Sequence, residues 1–216
     1  MSDFNFDIIW GYFPLFMRGT LYTIGISVSG IVLGSLLGLI IAMCNMSRLW
    51  FLKYPVQGYI HFFRGTPLML QILIVHFGVV YSILGTTNAI VAAITALALN
   101  AAAYTAEIFR AGIQSIDKGQ SEAAYSLGMK KWQVMRYVVL PQATKRMIPA
   151  FGNEFIVLIK DSSLVAVIAA PELMYWAKAA NAQYTRVWEP YLTAACIYLA
   201  LTYSLHKLLQ YIERKM

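Results

Sequence analysis

Apolar residues run along this chain in long, nearly uninterrupted stretches separated by short polar ones. The stretches cover residues 15–43, 56–84, 88–109, 147–170 and 190–209. The first has no charge between Arg18 and Arg48. The second carries Arg64 near its start, and the fourth is interrupted by Glu154, Lys160 and Asp161. A helix that crosses a bilayer needs about 20 mostly apolar residues. The pattern therefore predicts an all-α polytopic membrane protein with five transmembrane helices, built as one domain over residues 1–216. The one long polar stretch, residues 110–146, becomes a loop between the third and fourth crossings.

Composition narrows the class further. Of 216 residues, 59% are hydrophobic and 12% charged, and the mean hydropathy is +0.61. Soluble domains carry about twice that share of charge, so a soluble enzyme and a disordered chain are both excluded. The net charge is +7. In a membrane protein such an excess reads first as orientation, not as nucleic-acid binding. Arg48 and Lys53 fall in the first loop, Arg110 to Arg146 in the large loop, and Lys207, Arg214 and Lys215 at the C-terminal end. The opposite side holds only Arg18, Lys178 and Arg186. The positive-inside bias places the large loop and the C-terminus in the cytoplasm and the N-terminus outside. The early residues Asp3 and Asp7 do not resemble the basic start of a cleavable signal.

Two stretches predict close helix contacts. Gly30, Gly34 and Gly38 make a smooth stripe on the first crossing, and nine of the eighteen residues from Ala89 to Ala106 are alanine. Such faces let helix backbones approach, within the chain or against a second subunit. Cys44 and Cys196 lie far apart in apolar runs, with no metal spacing, and read as core or lipid-facing residues. His61, His76 and His206 are dispersed and form no catalytic constellation.

Within the polar loop, residues 118–127 suit a short helix. Glu122 lies near its start, and Ala123, Ala124 and Leu127 supply a small apolar face. Gly128 breaks it. A second amphipathic piece runs from Lys131 to Val139, and Leu140-Pro141 leads into the fourth crossing. A short surface helix of this kind fits the groove of a soluble partner or lies on anionic lipid. Composition alone leaves both open.

The run Glu122-Ala123-Ala124, three residues, Gly128, nine residues, then Val138-Val139-Leu140-Pro141 resembles the EAA signature of the permease subunits of ABC importers. Further stretches are similar to the polar amino acid branch of that family: Phe63-Arg64-Gly65-Thr66-Pro67-Leu68, Ala103-Tyr104 through Gly112, Gly152-Asn153-Glu154, and Lys160 to Leu164. The resemblance covers residues 19–211. It implies a type I importer fold in the prokaryotic cytoplasmic (inner) membrane. It also implies an EAA helix that couples to an ATP-binding subunit through Glu122, Ala123, Ala124, Leu127 and Gly128. The expected partners are a dimer of ATP-binding subunits, a second permease subunit (an identical or a related one), an extracytoplasmic solute-binding protein and membrane lipid. In that case ATP and Mg are held by the partner and no cofactor by this chain. The sequence agrees in lacking any phosphate-binding Gly-x-x-x-x-Gly-Lys-[Ser/Thr] loop.

Ionisable side chains inside a bilayer are costly and mark pathways. Asn100, Tyr104 and Glu107 share one face of the third crossing. Glu154 and Asp161, two turns apart, share one face of the fourth. Glu107 lies three residues before Arg110, which suits an ion pair at a helix end. The family resemblance implies a structural role for Arg64, because its Arg-Gly-Thr-Pro segment resembles a recurrent structural signature of that family. Ser162 and Ser163 suggest a local break of the kind that builds solute sites. Together, Asn100, Tyr104, Glu154, Asp161, Ser162 and Ser163 are the candidate solute ligands. Two acids in one cavity favour a cationic amino acid such as arginine, lysine or histidine. A neutral polar one such as glutamine is the alternative. The reading from another class is a membrane scaffold or channel whose basic loop binds lipid.

Overall fold

The computed structural model describes residues 4–215 and is helical throughout its regular elements; Asp3 falls outside this range. Helix α1, Phe6–Asn45, begins at Asn5, whose side chain accepts from the Asp7 amide at 2.9 Å. Its 40 residues make about 60 Å of helix, longer than a bilayer with its headgroups. After a tight turn, α2 spans Trp50–Gly65. Then come α3 (Leu68–Leu73), a π-helical segment (Ile74–Val80) and α4 (Tyr81–Leu84), which together form one rod. The expected crossing 56–84 is thus bent by 110° between α2 and this rod. The cause is Pro67, which cannot continue the hydrogen-bond ladder of α2. Gln71 repairs the break: its Nε2 donates to the Phe63 carbonyl (2.9 Å), the Thr66 carbonyl (3.1 Å) and Thr66 Oγ1 (2.9 Å). Asn100 Nδ2 in turn donates to Gln71 Oε1 at 2.9 Å.

Helix α5, Ala89–Gln114, starts at Asn88, whose side chain accepts from the Ile90 and Val91 amides, both at 3.1 Å. The uncharged turn before it uses Gly85 at a φ of 69°. The glycine stripe of α1 packs directly on the alanine face of α5. A Cβ on Gly34 would stand 2.7 Å from the Ala101 Cβ, and one on Gly38 would collide with Thr105 Oγ1. Thr105 Oγ1 also donates to the Gly34 carbonyl at 3.1 Å. The small-residue faces therefore serve contact within the chain.

Helix α6, Lys118–Ser126, is capped by Asp117, which accepts from the Gly119 amide at 2.8 Å. Gly128 ends the turn with a φ of 78°. Helix α7 (Lys131–Gln133), a π segment (Val134–Val139) and α8 (Leu140–Asp161) then follow without interruption. The amphipathic piece and the fourth predicted crossing are thus one rod. Beyond it the chain tightens into a 3-10 helix at Ser162–Ile168 and turns through Ala169, at a φ of 57°. Helix α9, Leu173–Tyr184, was not foreseen; α10, Trp188–Lys215, follows it.

By length and composition α1, α5 and α10 can each cross a membrane, and the bent α2–α4 unit is a fourth candidate. Helix α8 bears Lys145, Arg146, Glu154, Lys160 and Asp161, so its apolarity alone would not assign it to the bilayer. The main core joins Ile26 of α1 and Ile72 of α3 to the alanine face of α5 and Leu158 of α8. A second core lies under α6, and a third joins Phe16, Leu173, Ala177 and Ala194.

Candidate functional site

Helices α5 and α8 pack side by side, and the end of α2 reaches towards their junction. A cleft of about 480 Å³ lies there, lined by Arg64, Tyr104, Glu107, Ile108, Gly112, Arg146, Met147, Ala150 and Glu154, among others. Helical spacing accounts for the lining. Residues 104, 108, 111, 112 and 115 share one face of α5, and residues 146, 147, 150 and 154 share one face of α8. Gly112 brings the two helices close at the loop end, where a Cβ would run into the Met147 side chain.

The charges in the cleft are unevenly paired. Glu107 is held by Arg110, through Nη2 at 2.7 Å and Nε at 3.1 Å. This is the expected helix-end pair, and Gln114 braces it by accepting from Arg110 Nη1 at 2.6 Å. Arg64 stands 3.9 Å from the same carboxylate, with its guanidinium 5.3 Å above the Tyr104 ring. Arg110 already satisfies Glu107, so Arg64 is only loosely held and its side chain is 45% exposed. Glu154 has no hydrogen-bond or ion-pair partner among the described residues. The cleft thus presents a half-buried carboxylate, a loosely tethered guanidinium and an aromatic face.

Tyr104 and Glu154 are the predicted solute ligands that the fold brings together here. The others lie elsewhere. Asn100 is buried and committed to Gln71, with a longer contact of 3.4 Å to the Phe63 carbonyl; it holds the bend of the second segment. Asp161 closes α8, two turns beyond Glu154, where the winding changes. Ser162 is fully buried and donates to the Ile159 carbonyl at 2.7 Å. Ser163 follows in the 3-10 segment, and neither serine nor Asp161 lines the cleft. Lys160 makes no ion pair with Asp161.

The loop segment presents a second surface. Glu122, Ala123 and Gly128 are exposed, and Leu127 is 83% exposed. Ala124 points the other way, into a core with Ile116, Val134, Val139, Ala143 and Met147. The small apolar face expected of Ala123, Ala124 and Leu127 is therefore divided. Ala124 anchors α6 to the α7–α8 rod, while Ala123 and Leu127 face outward.

Several residues that organise the bundle carried no signal of spacing or family motif. Glu172 is fully buried and caps α9, accepting from the Met174 amide at 2.8 Å and the Tyr175 amide at 2.7 Å. Tyr198 of α10 donates to it at 2.7 Å, and Thr23 of α1 lies within 3.5 Å. Glu189 pairs with Arg186 and accepts from the Asn5 amide at 3.0 Å, tying the start of α10 to that of α1. An acid just before an apolar run is a cap signal that would have located Glu172. Gln71 and the cleft position of Arg64 depend on the bend, which no local pattern reports.

A bundle of apolar helices, a small polar helix seated on its end and a charged cleft opening near that end define a membrane transport domain. The chain belongs to the family described as "Binding-protein-dependent transport system inner membrane component", which matches residues 30–216. It is similar to the arginine transport system permease protein ArtQ of Bacillus subtilis (39% identical, covering 94% of this chain and 93% of that one). It is also similar to the putative glutamine transport system permease protein GlnP of Rickettsia typhi (36%, covering 93% and 92%). A solved structure described as an amino acid ABC transporter with histidines superposes with a TM-score of 0.93, at 41% identity and over 100% of both chains. The chain is a multi-pass inner-membrane permease of an ABC amino acid importer with the type I fold. It assembles with ATP-binding subunits, which hold the ATP, and is not itself catalytic. The scaffold and channel reading is thereby set aside.

Proposed function

We propose that this permease carries cationic amino acids by alternating access and that Glu154 is the principal anion for the solute. The observation that carries this reading is the cleft itself, where the Glu154 carboxylate has no hydrogen-bond or ion-pair partner among the described residues. Arg64 is tethered there only by a 3.9 Å contact to Glu107. Arg64 complements the carboxylate of an amino acid, and Glu154 complements the charge of a cationic side chain. The face of the Tyr104 ring suits a guanidinium or ammonium side chain. Asp161, on the same face of α8, and the backbone at Ser162 and Ser163 extend the path towards the opposite end of the bundle. The second acid adds the negative charge that favours a cationic side chain. Asn100 enters through the bend that positions Arg64.

The α6 end faces the cytoplasm in this reading, which puts the C-terminus inside and the N-terminus outside. Glu122, Ala123, Leu127 and Gly128 meet the ATP-binding subunit, and Ala124 passes the motion to α8. Two permease subunits, identical or related, pair around the path, and an extracytoplasmic binding protein delivers the solute. Closure of the ATP-binding subunits tilts the bundle and changes the side to which the cleft opens.

The test is uptake of arginine and of glutamine into proteoliposomes holding the complete complex, with Glu154→Gln in this chain. Arginine uptake falls at least about tenfold while glutamine uptake changes less, because one lost charge contact is worth about 1.5–3 kcal/mol. Equal retention of both would remove Glu154 from solute recognition. Equal loss of both would favour a neutral polar solute.

A further inference from the structure

At the end of the bundle opposite α6, a second groove of about 440 Å³ runs between α1 and the start of α5. Its walls are Leu21, Ile26, Ile90 and Ile94, with Arg18 and Tyr22 also lining it. We propose that this groove binds one anionic phospholipid, with the headgroup phosphate on Arg18 and an acyl chain lying along Gly25 towards Ser29.

Three observations support the assignment. First, Arg18 is exposed on a long apolar helix and makes no hydrogen bond or ion pair among the described residues. Second, its position along α1 fits a headgroup when Asn45 marks the opposite face. Asn45, the other end of α1, is 27 residues away, which is about 40 Å of helix, close to the thickness of a bilayer with both headgroup layers. From Leu21 to Ser29 the groove descends about 12 Å, most of the roughly 15 Å of one hydrocarbon leaflet. Third, Gly25 differs in kind from the glycines of the packing stripe. A Cβ on Gly30, Gly34 or Gly38 would press against α5 or α8, whereas a Cβ on Gly25 meets nothing within 4 Å. Its missing side chain opens space instead of admitting another helix. Arg18 and Tyr22 lie one turn apart, so a guanidinium and a phenol flank the mouth, a donor pair suited to a phosphodiester.

A complex reconstituted in vesicles of equal phosphatidylglycerol and phosphatidylethanolamine, then released and weighed intact by native mass spectrometry, tests this. The unaltered complex retains phosphatidylglycerol in preference. Arg18→Gln lowers that preference about fivefold, the effect of one cation at a membrane surface, and Arg18→Lys keeps most of it. Gly25→Leu puts a side chain into the groove from a position whose Cβ meets nothing within 4 Å, and it removes the retained lipid of both kinds. Unchanged retention in both Arg18→Gln and Gly25→Leu overturns the proposal. So does dissociation of the two permease subunits by Gly25→Leu, which would make the groove a subunit contact.

Discussion

Helix α5 has two faces with opposite designs. Towards α1 it is alanine against glycine, dry and so close that no Cβ fits at Gly34 or Gly38. Towards α8 it carries Tyr104 and Glu107 over a cleft in which Glu154 has no ion-pair partner among the described residues. In lipid no hydrophobic gain separates helix contact from helix exposure, so tight van der Waals contact has to hold the bundle together. The seam with α1 supplies that contact. It leaves the other face at liberty to keep space and charge, which by themselves would weaken a helix pair. The lesson is a division of labour across one helix: rigidity on one side permits incompleteness on the other.

Substitutions can break or sharpen this contrast. The largest effect is expected at the seam. Gly34→Leu forces α1 from α5, where overpacking ordinarily costs about 1–3 kcal/mol and backbone contact makes it worse. The folded complex should be lost from size-exclusion profiles, whereas Gly25→Ala on the same helix should leave them unchanged. Next comes Glu154→Gln in the cleft, with its drop in arginine uptake and an unaltered melting temperature. A fall in melting temperature there would show that the acid belongs to the scaffold. At the outward face of α6, Ala123→Trp should cut solute-stimulated ATP hydrolysis several-fold without affecting insertion, since Ala123 is exposed. Wild-type coupling in that variant would place the contact with the ATP-binding subunit elsewhere.

Smaller effects are expected where the two faces share a support. Gln71→Leu leaves the carbonyls of Phe63 and Thr66 without their donor. A buried polar group left unpaired costs about 1–3 kcal/mol. The melting temperature should fall by several degrees, and uptake should fall with it because Arg64 sits just before the bend. The smallest change is Glu107→Gln, which loses a partly exposed ion pair worth about 0.5 kcal/mol. Thermal denaturation should barely register it. A large loss there would mean that Arg64 depends on Glu107 more than a 3.9 Å contact suggests.

The legibility of the sequence follows the range of the interactions. The glycine stripe, the Gly128 stop and the Glu107–Arg110 pair are local, and spacing alone places them correctly. The EAA run is legible for a different reason, because it is a motif of the family. Asn100 misleads for a physical reason. A buried amide in a membrane helix reads equally as a solute ligand or as a brace, and only the bend created at Pro67 decides for the brace. Arg64 is the converse: the family resemblance implies a structural role, yet the bend carries it into the cleft beside Glu154. Glu172 and Glu189 join residues more than a hundred positions apart, and their partners on α1 cannot be guessed from local composition. The outward face of α6 is only half legible, since periodicity groups Ala124 with Ala123 and Leu127 until packing separates them.

One feature of the loop has a mechanical consequence. From Lys131 to Asp161 the chain is continuously helical, through a π segment and past Pro149, with its foot clasping Ala124 and its shaft bearing Glu154 seven residues beyond Met147. Under the coupling proposed above, such a helix would act as a crank. A displacement of α6 would reach the Glu154 carboxylate through one continuous helix, with Pro149 the point between Met147 and Glu154 at which it can bend.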